Sequence, residues 1–216
     1  MDIAELFEKK GWTYKRVRKS LAQQRDEEDF QAFGETLATL LEAHQEGEAS
    51  VWFCDECGFH LNPQSVYAWQ APNRPLSLPA HRVNALNVLG LITVDNQGEF
   101  YEFEGAMDAN LFVQCIDAFV DKHATENKKH ILILDNASPH KSRLVKQHAQ
   151  EWAKKQVTWC FLPPYSPEHN YIEILWKRIK HHWIGVKDWL TTQTLKDKII
   201  HILQHFGIQF TLHFKI

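Results

Sequence analysis

The stretch that decides the fold is ILILDNASPH, residues 131–140. Four apolar residues run into Asp135, and the pattern then changes to Asn-Ala-Ser-Pro-His. A short apolar run of this kind is typical of a strand that is covered on both faces of a sheet. Ser138 and Pro139 fit the N-cap and first-turn positions of a helix that continues to about Trp152. A carboxylate at the tip of a rigid strand is well placed to bind a metal ion, although an aspartate there more often forms a turn or caps a helix.

The composition is that of a globular protein with one substantial domain. The chain has 216 residues, of which 44% are hydrophobic and 24% charged, and it includes eight Trp and 13 Phe, so it can bury a core. No apolar run approaches the length that crosses a bilayer, and no membrane partner is expected. The four cysteines are too few for a disulfide framework, which favours the reducing cytoplasm. The net charge of −3 argues against a protein that simply coats nucleic acid.

Charge is unevenly distributed near the N-terminus. KKGWTYKRVRKSLAQQR at 9–25 carries seven Lys or Arg and no acid, and DEED follows at 26–29. Such a run is either a solvated helical face or an arm that contacts phosphates, with Trp12 and Tyr14 able to stack, and the two interpretations are equally favoured. In the second interpretation, the residues expected to contact DNA are Lys15, Arg16, Arg18 and Lys19.

Hydrophobic periodicity in the first half of the chain predicts a helical segment followed by strands. Residues 1–48 are expected to be mostly helical, because apolar residues recur at helical spacing in DEEDFQAFGETLATLLEAH. The polar QEGEAS at 45–50 predicts a domain boundary, with a helical basic segment at 1–48 and the main domain at 49–216. Beyond it, strands are predicted at 50–59, 65–72, 87–94 and 99–105, with a tight turn at 95–98.

The second half alternates between helices and strands. Helices are predicted at about 109–123, 172–183 and 194–206, strands at 130–136 and 157–164, and a β-like tail at the end. With the helix after Asp135, this order predicts an α/β fold in which a mixed sheet has helices on both faces. Such sheets usually place their functional sites at strand ends.

Three acidic residues stand out by their positions. Asp55 interrupts the apolar run VWFCDECGF, Asp135 ends the ILIL strand, and Glu173 opens the helix after LPPYSPEHNY. Lys177 and Lys180 follow Glu173 by four and seven residues and share its helical face. An acid with two cations beside it suits a metal ion flanked by DNA phosphates, and hard carboxylate oxygens select Mg²⁺ or Mn²⁺.

Each acid also has a simpler explanation. Asp135 can cap the helix that follows it, and Glu173 can be an acid that the helix dipole favours in a first turn. Asp55 is harder to explain in this way, because an acid inside an apolar strand has to be paired or coordinated. Spacing alone therefore favours the simpler explanations.

Two further groups of residues are candidate sites. Cys54, Cys57 and His60 have C-x-x-C-x-x-H spacing, but a strand puts the two cysteines on opposite faces, which disfavours a zinc site. His140 and Lys141 are predicted to begin the helix beyond the ILIL strand, where they can contact DNA or simply be solvated first-turn residues.

The sequence around the three acids carries a wider similarity. LDNASPHKS at 134–142 is followed by LPPYSPEHNYIEILWKRIK at 162–180. Upstream lie DECGFHLNP at 55–63 and YAW at 67–69. Together these motifs closely resemble the catalytic core of DDE transposases of the mariner superfamily, in its bacterial insertion-sequence branch. The resemblance covers roughly residues 50–210.

The resemblance implies a ribonuclease-H-like fold with Asp55, Asp135 and Glu173 as the metal-binding catalytic residues. It implies that two Mg²⁺ or Mn²⁺ ions activate water to nick DNA at the ends of a mobile element. The freed 3′-hydroxyl then attacks target DNA, typically at a TA dinucleotide. The expected enzyme is a DDE-type transposase, whose expected partner is double-stranded DNA. It is expected to act as a homodimer in the bacterial cytoplasm, associated with the nucleoid when bound to DNA.

The chain departs from the family pattern in two places. His169 and Tyr171 stand where the motif SPELNPIE has Leu and Pro, and Tyr171 removes a rigid turn residue just before Glu173. Family members usually begin with paired helix-turn-helix modules, and GWTYKRVRKSL resembles only the tail of that region. Three explanations are open: a catalytic fragment, the second product of a split reading frame whose helix-turn-helix part is encoded separately, and a decayed copy.

Two other functions are open. One is a ribonuclease-H-like nuclease that cuts DNA without joining it. The other is a non-catalytic DNA-binding or assembly protein derived from a transposase, although the presence of all three acids argues against it. If the modules that read the DNA sequence are missing, the chain is expected to bind DNA weakly and with a strong dependence on salt.

Overall fold

The computed structural model is built around a mixed β-sheet. It describes residues 11–13, 22–62, 70–73, 75, 77–78, 83–123 and 128–214. The strands in these residues are β1 (Ala49–His60), β2 (Asn84–Ile92), β3 (Gly98–Phe103), β4 (Lys129–Leu134) and β5 (Val157–Phe161). The α-helices are α1 (Glu27–Gln45), α2 (Ala109–His123), α3 (Arg143–Lys154), α4 (Ile172–Arg178) and α5 (Thr192–Gln204). Among the described helices, none is long and apolar enough to span a membrane.

The order of the strands across the sheet is β3-β2-β1-β4-β5. β2 pairs antiparallel with β1 on one side and with β3 on the other. β4 pairs in parallel with β1 on one side and with β5 on the other. The predicted mixed sheet is therefore confirmed, and its parallel half contains the ILIL strand.

Helices cover both faces of the sheet, as predicted. The apolar faces of α1, α4 and α5 form one core with Val51 and Phe53 of β1. On the other face, α2 and α3 pack against Trp52 and Cys54. Because side chains alternate along β1, Cys57 joins the first core, so Cys54 and Cys57 lie on opposite faces of the strand.

The N-terminal helix packs on the sheet. Asp26 caps α1 by accepting the N–H groups of Glu28 and Asp29, a typical N-cap arrangement. Its buried side chains, which include Phe33, Leu37 and Leu41, join the core that covers β1. A turn at 46–48 separates this helix from β1, and the domain boundary predicted there stays a prediction.

The helix that follows Asp135 begins later than predicted. Its N-cap is Ser142, not Ser138, and residues 138–141 form a turn. The carboxylate of Asp135 accepts the N–H of Ala137 at 2.9 Å, and this local hydrogen bond competes with helix formation. His140 and Lys141 are therefore turn residues and do not begin the helix, which was predicted wrongly.

Two predicted strands have a different outcome. Most of the strand expected at 65–72 lies outside the described residues, and residues 70–73 form coil and a turn. The β-like tail was wrong for the described residues up to 214, which contain only an isolated bridge between Phe206 and Phe210.

Gly90 of β2 provides a test of how α4 is seated on the sheet. It lies opposite Asp55 in the β1–β2 pair, and a Cβ at this position would meet the Trp176 ring at 2.7 Å and Ile172 at 2.9 Å. We predict that Gly90→Ala lowers the free energy of unfolding by about 1–3 kcal/mol, because the packed side chains have to shift. Urea denaturation measures this change.

Gly34→Ala in α1 is the matched control. Its Cβ would meet His169 at an ordinary 3.4 Å, and alanine is favoured over glycine in a helix interior. This variant should keep or gain stability. Equal destabilisation by both substitutions would contradict the close packing assigned to Gly90.

Candidate active site

Two of the predicted acids lie close together because their strands pair in parallel. The last paired residues of β1 and β4 are Phe53 and Ile133. Asp55 and Asp135 each follow two residues later, so they come just after the point at which the two strands separate. Adjacent parallel strands that end their pairing together bring both carboxylates to the same edge of the sheet.

Glu173 reaches the same place from the first turn of α4. An open cleft of about 420 Å³ is bordered by Asp55, Asp135 and Glu173 together with the loop that follows β5. The side-chain amide of Asn136 donates to the C=O of Leu162 and ties the β4 tip to this loop. In the described part of the chain, no three His, Cys, Asp or Glu side chains are close enough to enclose one ion. The three carboxylates therefore border an open cleft and do not form a closed cage.

Burial and like charge oppose ionisation of Asp55. Burial is the larger cause, and the neighbouring carboxylates, Glu173 first, add to it, so the pKa of Asp55 rises to about 8. The indole N–H of Trp176 donates to Asp55 Oδ2 at 3.1 Å. Burial also raises the pKa of Glu173, an effect that Lys180 opposes. A cation in the cleft would favour the ionised form of both acids.

Asp135 has the opposite electrostatic environment. Its Oδ1 lies 2.8 Å from His140 Nδ1 and also accepts the N–H of Ala137. The hydrogen bond from His140 is the largest cause that holds the pKa of Asp135 below its ordinary value. The surroundings of the cleft therefore favour the protonated form of Asp55 and the ionised form of Asp135.

The structure does not support a DNA contact by His140. The residue is 1% exposed, and its ring lies 4.3 Å from the ring of Phe112 in α2. Its Nε2 lies 2.9 Å from Glu56 Oε1. Burial opposes its charge, but the hydrogen bonds to Asp135 and Glu56 raise the pKa of His140 to about 9. A buried side chain whose two nitrogens both face carboxylates cannot reach a phosphate.

Sequence reasoning missed two residues near the cleft. Glu56 follows Asp55, so strand alternation puts it on the face covered by α2. A charged side chain on that face has to be paired, and this requirement could have indicated Glu56 from the sequence. Asn170 is 5% exposed and borders the cleft. Its amide donates to the C=O of Cys54, whereas its Oδ1 is buried without a hydrogen-bond partner. No pattern in the sequence distinguishes Asn170 from an ordinary loop asparagine.

A family model matches the part of the chain that builds this cleft. Residues 50–196 match the model described as DDE superfamily endonuclease. The chain belongs to the DDE superfamily endonucleases. No curated protein matches it in sequence.

Solved structures of a mariner transposase share the fold of this DDE endonuclease. The Mos1 transposase paired-end complex with left transposon end has a TM-score of 0.56 and 16% identity, covering 94% of this chain and 67% of that one. The Mos1 Strand Transfer Complex has a TM-score of 0.51 and 16% identity, covering 93% and 65%. The Mos1 mariner paired end complex with Mn has a TM-score of 0.52 and 16% identity, covering 93% and 66%. The chain thus spans about two thirds of the length of these structures, and the predicted ribonuclease-H-like fold is confirmed.

In this DDE endonuclease, the two departures from the SPELNPIE motif make specific contacts. The ring of Tyr171 stacks on Phe53 at 4.7 Å and on Phe214 at 5.6 Å. His169 stacks on Phe30 of α1 at 4.1 Å, and its Nε2 lies 3.0 Å from the Phe30 C=O. Aromatic packing therefore fixes the start of α4 in place of a proline ring, and His169 connects α1 to the loop before Glu173.

The predicted DNA-contacting lysines have different positions. Lys141 is exposed, and its charge helps to lower the pKa of Asp135 after the larger effect of His140. Lys180 Nζ lies 5.5 Å from the ring centroid of Phe59, and Lys180 also lines a second cavity, of about 460 Å³. Lys177 is exposed. Four of the predicted residues lie outside the described part of the chain: Lys15, Arg16, Arg18 and Lys19.

Replacing Asp55 should stabilise the metal-free DDE endonuclease. Because its pKa is raised to about 8 in the folded protein, the wild type loses stability as the pH rises from about 4 to about 8. Asp55→Asn lacks this loss and keeps an acceptor for Trp176. We predict that its free energy of unfolding in EDTA exceeds that of the wild type by on the order of 2 kcal/mol at about pH 7.5.

The difference in the free energy of unfolding should shrink as the pH falls to about 5, because the pH then approaches the pKa that Asp55 has in the unfolded chain. Asp121→Asn is the control, since Asp121 is exposed and pairs with Lys155 at 2.8 Å on the surface. A wild type and an Asp55→Asn variant of equal stability at both pH values would contradict the burial of an ionisable group at this site.

Proposed function

We propose that the chain is the catalytic domain of a transposase of the mariner superfamily, in its bacterial insertion-sequence branch. In this proposal it cleaves DNA at the ends of a mobile element and joins the freed ends to target DNA. The observation that carries the proposal is the convergence of Asp55, Asp135 and Glu173 on one cleft in a member of the DDE superfamily endonucleases. Mos1 structures with a transposon end and in a strand transfer complex support it by their shared fold.

The residues of the cleft fit a divalent cation. Three carboxylates and the unpartnered amide oxygen of Asn170 are hard oxygen donors, the type that Mg²⁺ and Mn²⁺ prefer. The raised pKa values of Asp55 and Glu173 are those of a cluster that needs a counter-charge to ionise. We propose Mg²⁺ or Mn²⁺ with Asp55, Asp135 and Glu173 as ligands, and two ions as the full complement. A Mos1 complex was solved with Mn, which supports this choice.

The chain's own residues position the reacting groups. Bound metal ions would supply an activated nucleophile and stabilise the leaving oxygen of the phosphodiester. Asp135 keeps Oδ1 in hydrogen bonds to His140 and Ala137, which leaves Oδ2 for the cleft. Trp176 donates to Asp55 Oδ2, and the backbone N–H of Glu56 also bonds the Asp55 carboxyl group. Both aspartates are thus held in place by hydrogen bonds from their own surroundings.

We propose that DNA phosphates pass across the open side of this cleft. Lys141 lies in the turn after β4, and its charge helps to lower the pKa of Asp135. Lys177 lies in α4, one turn after Glu173, and Lys180 lies just beyond the end of that helix, where its charge opposes the raised pKa of Glu173. Lys180 also lines the second cavity, together with His60 and His181. Such contacts would position DNA without reading its sequence. The basic N-terminal residues Lys15, Arg16, Arg18 and Lys19 are proposed to add phosphate contacts.

The assembly and the setting are proposed on the same basis. Paired element ends call for a homodimer, and sequence-specific binding of those ends would come from a helix-turn-helix part, encoded separately or lost. A bacterial cytoplasmic location, with binding to nucleoid DNA, follows from the proposed branch. The helical segment at 1–48 is proposed as a remnant of the DNA-binding region and 49–216 as the catalytic domain.

A nicking and strand-transfer assay tests this proposal. The substrate is a supercoiled plasmid that carries the ends of the element, incubated with Mg²⁺ or Mn²⁺. We expect metal-dependent nicked and joined products from the wild type and a loss of at least about a hundredfold in Asp135→Asn, because a metal ligand loses its charge. Asp121→Asn, which changes an exposed aspartate of α2, is the matched control and should retain activity.

Three results would favour other conclusions. Cleavage without joined products would favour the nuclease that only cuts. DNA binding that persists in EDTA, with no metal-dependent product, would favour a non-catalytic DNA-binding protein. Cleavage that survives in Asp135→Asn would contradict the assignment of the three acids.

A further inference from the structure

We propose that His140 is a positioning residue that fixes Asp135 for metal binding, and that Glu56 anchors His140 in place. This inference rests on the proposed function, because it takes Asp135 as a metal ligand. His140 and Glu56 touch neither the metal nor DNA in this account. They act through Asp135.

Both ring nitrogens of His140 are occupied by carboxylates. Nδ1 lies 2.8 Å from Asp135 Oδ1, and Nε2 lies 2.9 Å from Glu56 Oε1. The two carboxylates therefore hold the ring from both sides. The ring is wholly buried and rests against Phe112, which leaves it no other orientation that keeps both bonds.

This arrangement restricts Asp135 to one orientation of its carboxylate. Oδ1 accepts the N–H of Ala137 and lies 2.8 Å from Nδ1 of His140. In the described part of the chain, Oδ2 accepts no hydrogen bond and is the oxygen left for the cleft. Without His140, Ala137 alone would hold Oδ1, and the carboxylate could turn away from the metal site.

Glu56 connects His140 to β1. It follows Asp55 in β1, on the opposite face of the strand. The chain of hydrogen bonds from Asp135 through His140 to Glu56 therefore crosses from the tip of β4 to β1 and ends one residue from the second proposed ligand. These hydrogen bonds thus fix the segment after β4 relative to β1, and they also fix the orientation of the Asp135 carboxylate.

A purely structural role is the simpler alternative. His140 could hold the turn at 138–141 without any effect on the metal site. The two roles differ in what they change: a structural role affects stability alone, whereas a positioning role lowers metal affinity in protein that is still folded. Residues that orient metal ligands typically contribute about 10- to 100-fold to metal affinity.

The experiment is a Mn²⁺ titration of the whole chain, followed by the electron paramagnetic resonance signal of free Mn²⁺. We expect His140→Ala and Glu56→Ala to weaken Mn²⁺ binding about tenfold or more. Glu56→Gln should bind nearly as the wild type does, because its amide oxygen still accepts the Nε2–H of His140. His148→Ala is the matched control: its half-buried imidazole bonds the C=O of Leu144 in α3, far from the carboxylates.

A second readout separates positioning from DNA contact. Since His140 is buried, His140→Ala should leave the KM for DNA unchanged in the nicking assay. Its kcat should fall at low Mn²⁺ and recover as Mn²⁺ is raised to saturation. A raised KM for DNA at saturating Mn²⁺ would overturn the positioning role.

The outcomes distinguish this inference from the proposed function. Asp135→Asn that binds Mn²⁺ as tightly as the wild type would contradict the proposed function. Loss of binding in Asp135→Asn, with wild-type affinity in folded His140→Ala and Glu56→Ala, would overturn the positioning role alone. If His140→Ala does not fold, the two Glu56 variants decide. Equal Mn²⁺ affinity for Glu56→Ala and Glu56→Gln would overturn the positioning role.

Discussion

The parallel pairing of β1 with β4 is the constraint on which the rest of the structure depends. Because Phe53 and Ile133 are the last partners, the chain carries Asp55 and Asp135 past the same point of the sheet. Shifting the register by one residue would move one of these side chains to the opposite face. The antiparallel strands on one side and β5 on the other hold the two strands in the middle of the sheet, where little movement is tolerated.

The packing of α4 on the sheet positions Glu173, the third acid. Trp176 lies over Gly90, the residue opposite Asp55, and also donates its indole N–H to that carboxylate. One side chain therefore seats α4, which carries Glu173, and restrains Asp55. The cost is a set of carboxylates in a partly desolvated cleft, where each resists the charge of the others. The metal ion proposed for this cleft would remove the repulsion between the carboxylates.

Much of this could be predicted from the sequence, for identifiable physical reasons. The buried strand before Asp135, the amphipathic helix at 109–123 and the turn at 95–98 have strong local patterns, and the structure has all three. The start of α3 could not be predicted, because the Asp135 carboxylate accepts the N–H of Ala137 and this hydrogen bond competes with the helix. The role of His140 was missed for a related reason: its partner Glu56 is 84 residues away in sequence, and only the fold brings them together.

Anomalous diffraction at the manganese edge, from crystals grown with Mn²⁺, locates the metal ions directly. We expect a peak in the cleft within bonding distance of Asp55 and Asp135, and a second peak beside Glu173 if two ions bind. We also expect Asp135 to bind through Oδ2 while Oδ1 stays with His140. An empty cleft at saturating Mn²⁺, or a peak held by other residues, would contradict the claim that this sheet edge is built to hold metal.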